Sequence, residues 1–98
     1  MEVEVTLFGP LRDPVGEKSI TLSLPADATV EDVLDQLTAD FPSMRDPLYG
    51  DYGSISDNVV LTKNKVNIAT LEGVETKLSD GDTLRLSPPV TGGTGVEQ

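Results

Sequence analysis

The residues with a chemical use stand at the end of the chain. Ser87-Pro88-Pro89-Val90-Thr91-Gly92-Gly93 is followed by five more residues, 94–98. Prolines fix φ and stop the strand before them, so the backbone leaves in an extended form. Two glycines then remove every side chain from a short length of chain, which can pass where a Cβ would collide. An enzyme could close a narrow channel around such a tail and reach a carboxyl group at its end. A loose Gly-rich terminus without a role fits the same residues. Elsewhere, Lys63 and Lys65 make the densest basic spot; they read as a solvated turn or as accessible amines open to acylation. Asp80-Gly81-Asp82 reads as a polar turn, since a metal would need more oxygen ligands than this spacing supplies.

Composition narrows the chemistry further. The 98 residues contain no Cys and no His. That removes disulfides, thiolate metal sites and thiol nucleophiles, together with the usual general base at neutral pH. No phosphate-binding loop is present, because no Gly-rich run continues into Gly-Lys-Ser/Thr. The chain is therefore expected not to be an enzyme on its own, to bind no metal and to carry no cofactor. Seventeen acidic against 7 basic residues give a formal net charge of -10 and a pI near 4.1. Such a polyanion avoids nucleic acid phosphates and anionic lipid, and a basic protein surface is its natural partner. Solvation in a salty cytoplasm accounts for the same carboxylates without any partner. No long apolar run or signal-peptide pattern occurs, so a cytoplasmic monomer away from membranes is expected.

The elements that must position the tail can be read from periodicity. Residues 2–8 alternate, with Val3, Val5 and Leu7 on one face and Glu4 and Thr6 on the other, as in a half-buried strand. After a loop at 9–16, Ile20, Leu22 and Leu24 alternate with Ser19, Thr21 and Ser23, which predicts a strand antiparallel to the first. Phe8 falls on the Glu/Thr face, either as an exposed contact or folded under the loop. Thr29 is a good N-cap, with Asp32 three residues on. Val30, Val33, Leu34, Leu37 and Phe41 then share one helical face, and Pro42 fits a helix ending before it. Residues 43–57 lose the pattern and read as a long loop partly anchored by Leu48, Tyr49, Tyr52 and Ile55, with room for a short helical turn. Strands follow at 59–62 and 66–68, joined by a turn at Lys63-Asn64-Lys65, and the last strand at 83–87 points Leu84 and Leu86 inward and Arg85 outward. Arg12 and Arg45 read as isolated loop residues.

This order, β-β-α-β-β-β, predicts an α+β fold of the β-grasp (ubiquitin-like) kind. It is a mixed sheet of about four to five strands with one main helix across one face. The first and last strands would lie side by side and parallel at its centre. Residues 1–88 form the domain and 89–98 a flexible tail carrying Gly92 and Gly93.

Residues 71–82 (LEGVETKLSDGD), 84–93 (LRLSPPVTGG) and 1–12 (MEVEVTLFGPLR) resemble the MoaD/ThiS group of ubiquitin-like proteins. With the acidic composition, they resemble the small archaeal modifier proteins in particular. The resemblance implies a carrier whose working group is a C-terminal glycine carboxylate. An E1-like enzyme adenylates that carboxylate with ATP. The activated glycine then becomes a thiocarboxylate for sulfur transfer, in molybdopterin or tRNA thiolation pathways, or joins a lysine through an isopeptide bond. By analogy with MoaD, which inserts its tail into the large subunit of molybdopterin synthase, Gly93 carries the chemistry. Val90, Thr91 and Gly92 thread the channel, and the partners are the E1-like enzyme and that large subunit or target-protein lysines.

Two departures from the pattern matter. Ser87 stands where many relatives place Phe, which shrinks any apolar docking surface at that edge. Residues 94–98 also leave Gly93 without a free carboxylate: either a protease trims them, or they were added to the natural sequence, or this relative is not a substrate for activation. Alternatives are a non-covalent β-grasp interaction domain with an unprocessed tail, or a small subunit permanently bound to an enzyme, as in molybdopterin synthase. A first prediction depends only on charge: the surplus carboxylates repel one another across a Debye length of about 30 Å at 0.01 M salt and about 10 Å at 0.1 M. The melting temperature should rise as NaCl is added over that range, and a flat or falling curve would contradict the expectation.

Overall fold

The computed structural model of the chain describes residues 1–49, 55–56 and 59–89. Its centre is a parallel pair, β1 (Glu2–Leu7) and β5 (Thr83–Ser87), in the register Glu4↔Thr83 to Leu7↔Leu86. On one side β1 pairs antiparallel with β2 (Ser19–Ser23). On the other, β5 pairs antiparallel with β3 (Val60–Lys63), which turns into the two-residue β4 (Val66–Asn67). The strand order is β2-β1-β5-β3-β4, a five-stranded mixed β-grasp sheet of the predicted kind.

Strand parity explains which face is covered. Val3, Val5, Leu7, Leu84 and Leu86 are all fully buried, while their neighbours Glu2, Glu4 and Arg85 are exposed. Helix α1 (Val30–Asp40) lies over the apolar face and buries Val30, Val33, Leu34 and Leu37, the residues its 3.6-residue period groups together. Its first turn is closed by Asp32, whose carboxylate accepts the Thr29 backbone N–H at 2.9 Å and the Thr29 hydroxyl at 3.3 Å. The helix start is also tied to the segment before β5: the Val30 N–H donates to the Thr76 carbonyl and the Leu78 N–H to the Ala28 carbonyl, each at 3.0 Å.

Three local readings change. The stretch expected to be a long loop contains a 3-10 turn at Pro42–Met44 and a short helix α2 (Arg45–Tyr49). Arg45 therefore opens a helix, and Met44 and Leu48 fill the core. Pro42 and Pro47 do not prevent this, because both occupy first-turn positions where no intrahelical N–H is needed. Ile68 leaves the fourth strand to begin a 3-10 turn, Ile68–Thr70. Lys63 belongs to β3, and the turn itself is Asn64-Lys65, with φ of 50° and 75°. Two successive positive φ values give the hairpin twist that matches its strands.

The 79–82 turn is more than a solvated loop. Asp82 is 8% exposed. Its carboxylate accepts the Ser79 N–H at 2.7 Å and the Asn64 Nδ2 at 2.9 Å, with Lys63 Nζ at 3.8 Å. Asp80 accepts the Glu2 N–H at 2.8 Å. Gly81, at φ +88°, donates to the Glu2 carbonyl, a conformation that suits a residue without Cβ. These bonds tie the β3–β4 hairpin, the start of β1 and the entry to β5 together. Asp82→Ala strands at least the Ser79 N–H and the Asn64 amide and should lower stability by about 1–3 kcal/mol in urea unfolding. Asp82→Asn should lose less, and equal stability of all three proteins would refute a stabilising role for the carboxylate.

Candidate functional site

The functional geometry to explain is the point where the chain leaves the sheet. Leu84 and Leu86 anchor β5 in the core, and the ladder with β1 continues past Leu7, since the Phe8 N–H donates to the Leu86 carbonyl at 3.0 Å. Beyond Ser87 the chain meets the 3-10 turn Gly9–Leu11, whose Leu11 is buried. Gly9 has φ +59°, and a Cβ there would come within 3.4 Å of Pro88 Cγ and 3.5 Å of Pro88 Cδ. The exit is thus seated on the loop after β1, and glycine supplies both the left-handed backbone and the clearance.

The outward neighbours of this exit are aromatic and cationic. Phe8 is half-buried, with Arg85 4.9 Å and Lys18 5.9 Å from its ring centre. It lies on the outer face, neither freely exposed nor lost beneath the loop. The periodicity of β1 and β5 points Phe8 and Arg85 to one side, but only the parallel register of Thr6 with Arg85 brings them together. Lys18 comes from the loop before β2 and could not be placed from sequence.

Gly93 and the residues before it, Val90, Thr91 and Gly92, lie outside the described residues, as do 94–98. Of the two candidate lysines, Lys63 is engaged: its Nζ donates to the Lys77 carbonyl at 3.1 Å and sits 3.8 Å from Asp82. Lys65 is exposed at the hairpin tip.

A separate cavity of about 390 Å³ lies between α1 and α2, lined by Glu31, Leu34, Asp35, Arg45 and Tyr49 among others. Burial, reinforced by Asp35 and Glu31 and opposed by Arg45, holds the Tyr49 phenol above its ordinary pKa of 10.0. Asp35 and Glu31 are exposed, and no nucleophile–base pair is formed there among the described residues. Among the described residues no group of three or more Asp or Glu is arranged to hold a metal ion, and no helix is long and apolar enough to cross a membrane.

This β-grasp sheet, with one main helix across one face, defines a ubiquitin-like domain. The chain belongs to the ThiS family, whose model matches residues 5–93. It is 40% identical over 93 residues to small archaeal modifier protein 3 of Haloferax volcanii, covering 95% of this chain and 100% of that protein. It is 29% identical to the molybdopterin synthase sulfur carrier subunit of Arabidopsis thaliana, over 95% of this chain and 84% of that one. The crystal structure of SAMP1 from Haloferax volcanii superposes with a TM-score of 0.81 at 31% identity, covering 95% of this chain and 100% of its own.

The exit geometry can be tested at Gly9. Gly9→Ala forces a Cβ into the left-handed region, which costs about 1–2 kcal/mol, and presses it against Pro88. Stability should fall by about that amount, and amide chemical shifts near Pro88 should move. An unchanged melting temperature with an unchanged spectrum would show that the contact does not seat the exit.

Proposed function

We propose that this protein is a ubiquitin-like modifier or sulfur carrier that works through the carboxylate of Gly93. Residues 1–88 serve as the folded body, and 89–98 as the tail. The observation that carries the reading is where the family match ends: it runs to residue 93, the second glycine, and leaves 94–98 beyond it. In this reading the carrier brings the acyl group, and the chemistry falls to its partners.

The chemistry follows from the acyl group. A carboxylate is a poor acyl donor. In the proposed first step, an E1-like enzyme lets a Gly93 carboxylate oxygen attack the α-phosphate of ATP, and pyrophosphate leaves. ATP is the enzyme's substrate, and the carrier holds no cofactor. Hydrosulfide then displaces AMP to leave a thiocarboxylate and release a proton, or a lysine amine displaces it to leave an isopeptide bond and release a proton. The large subunit of a molybdopterin synthase and target-protein lysines are the receivers on these two routes. Lys65, exposed at the hairpin tip, is the better-placed acceptor on this chain; Lys63 is held by Lys77 and Asp82. Val90, Thr91 and Gly92 thread the enzyme's channel, where glycine gives the narrowest profile.

An internal peptide carbonyl between Gly93 and Thr94 offers no oxygen for adenylation, so trimming of 94–98 precedes activation. Three proteins test this with one E1-like enzyme: the full chain, the chain ending at Gly93, and that shorter chain with Gly93→Ala. ATP–pyrophosphate exchange should be absent for the first, present for the second and impaired for the third. Equal exchange by the full and shortened chains, with termini confirmed by mass, would overturn the assignment of Gly93. On protein from its own cells, exchange of one oxygen for sulfur in a Gly93-ended form identifies the sulfur route. A remnant of residues 86–93 on lysines after trypsin, which cuts after Arg85, identifies conjugation.

A further inference from the structure

The sheet has two edges, and they differ. At one, β4 is two residues long; at the other, β2 is five. Bonds flanking the β1–β2 ladder fix which way the β2 backbone faces. Met1 and Leu24 exchange both bonds, at 2.7 and 2.8 Å, and the Leu7 N–H donates to the Lys18 carbonyl at 2.7 Å. Antiparallel pairs alternate between bonded and non-bonded positions, so Ile20 and Leu22 also turn their N–H and C=O groups toward β1. Ser19, Thr21 and Ser23 turn theirs outward, and among the described residues nothing pairs with them. Edges are ordinarily blunted by lysine, proline or a bulge. The run Ser-Ile-Thr-Leu-Ser has neither Lys nor Pro, and it pairs one to one with β1 without a bulge. Carboxylates flank this open edge on both faces of the sheet. On the outer face, exposed Glu4 and Glu2 stand opposite Thr21 and Ser23. On the helix side, a cleft of about 510 Å³ between the end of β2 and α1 is lined by Leu24, Asp27, Asp32 and Asp35 among others.

We infer that the open edge of β2 takes up an extended, lysine- or arginine-bearing segment of a partner protein as an added strand. The outward N–H and C=O groups of Ser19, Thr21 and Ser23 supply the ladder, which gives affinity without regard to side chains. Alternate side chains of the guest then give selectivity. One face of the guest lies beside Glu2 and Glu4, which suits basic residues. The other meets half-buried Ile20 and the cleft with Asp27 and Asp35, which suits apolar residues with a basic one at the cleft end. The same charges argue against a second copy of this chain. A β2–β2 pairing would set two such acidic rims side by side, in chains that each carry a formal net charge of -10, and like charges across strands destabilise. β1 separates β2 from β5, so the edge does not depend on the tail or on the reading of Gly93.

The test titrates the full chain with a synthetic heptapeptide of alternating lysine and valine with blocked ends, followed by NMR. The amides of Ser19, Thr21 and Ser23 should shift and exchange more slowly with solvent. The same peptide with its backbone nitrogens methylated keeps every lysine but cannot donate to the ladder, and should bind at least roughly tenfold more weakly. Glutamate in place of lysine should abolish binding. On the protein, Thr21→Pro removes an outward N–H and spares the ladder with β1, since proline is tolerated on an edge; it should cost a similar factor. Glu4→Gln should weaken binding roughly threefold, and less at about 1 M salt. If Thr21→Pro fails to fold, the methylated peptide decides. No binding of the lysine peptide, equal binding of the methylated or glutamate peptide, or shifts confined to β4 would each overturn the inference. Association of the chain with itself in sedimentation, lost in Thr21→Pro, would assign the edge to a second copy and overturn it as well.

Discussion

The parallel pairing of β1 with β5 is the constraint on which the rest of the molecule depends. It joins the first and last strands, so every other element has to fit between them in sequence and around them in space. The ladder is extended at both ends, by Glu4 N–H to Asp82 C=O and by Phe8 N–H to Leu86 C=O, each at 3.0 Å. Val3, Val5 and Leu7 interleave with Leu84 and Leu86 on the covered face, all fully buried. Because parallel strands run the same way, β5 ends where β1 ends. The exit of the tail is thereby placed beside the loop that follows β1, and Gly9 meets Pro88. A tail carried by the most deeply held strand has a fixed origin, and a partner can use that origin as a reference point.

Charge is organised around the same axis. Exposed ion pairs contribute little in water, so the Lys63–Asp82 contact, with side chains 25% and 11% exposed, matters less as a pair than as part of a network. Asp82 also accepts a backbone N–H and a side-chain amide, and Lys63 spends its Nζ on a backbone carbonyl. Those bonds hold the β3–β4 hairpin against the entry to β5. Among the described residues the remaining acids are exposed, four of them on α1, and the chain is strongly anionic. On the outer face near the exit, Lys18 and Arg85 stand over the Phe8 ring.

The parts legible in the sequence were those with an unbroken period. β1, β2, α1 and β5 repeat every two or every 3.6 residues over five or more positions, and their buried faces follow from that repeat. The short elements carry no such signal. α2 is five residues long and β4 only two, below the length at which either period can be counted. Met44 and Leu48, four apart, were the available hint of a helical turn. Lys65 at φ 75° is unmarked in sequence, because lysine is not the residue that left-handed turns favour, so the sequence pattern alone places Lys63 in the turn as well. The Phe8 cluster needed a register between strands distant in sequence, and no local pattern encodes one. The tail was legible as a motif alone, since Val90 to Gly93 take their meaning from the strand before them and from a partner.

A carrier of this design separates chemistry from recognition. Two glycines at the end of a tail look alike to any enzyme with a narrow channel, so the tail cannot by itself select one partner over another. In the proposed reading, selection comes from surface that a partner touches while it holds Gly93, and the length of 90–93 limits that surface to the neighbourhood of Pro88. Here that neighbourhood is made by three separate segments: Phe8 and Gly9 after β1, Lys18 before β2, and Arg85 with Ser87 on β5. Changing Ser87 to a larger apolar residue would alter the chemistry of the edge without touching the core, because its side chain lies on the outer face. Substitutions at this rim could therefore re-aim the carrier while the central strand pair continues to fix where the tail begins.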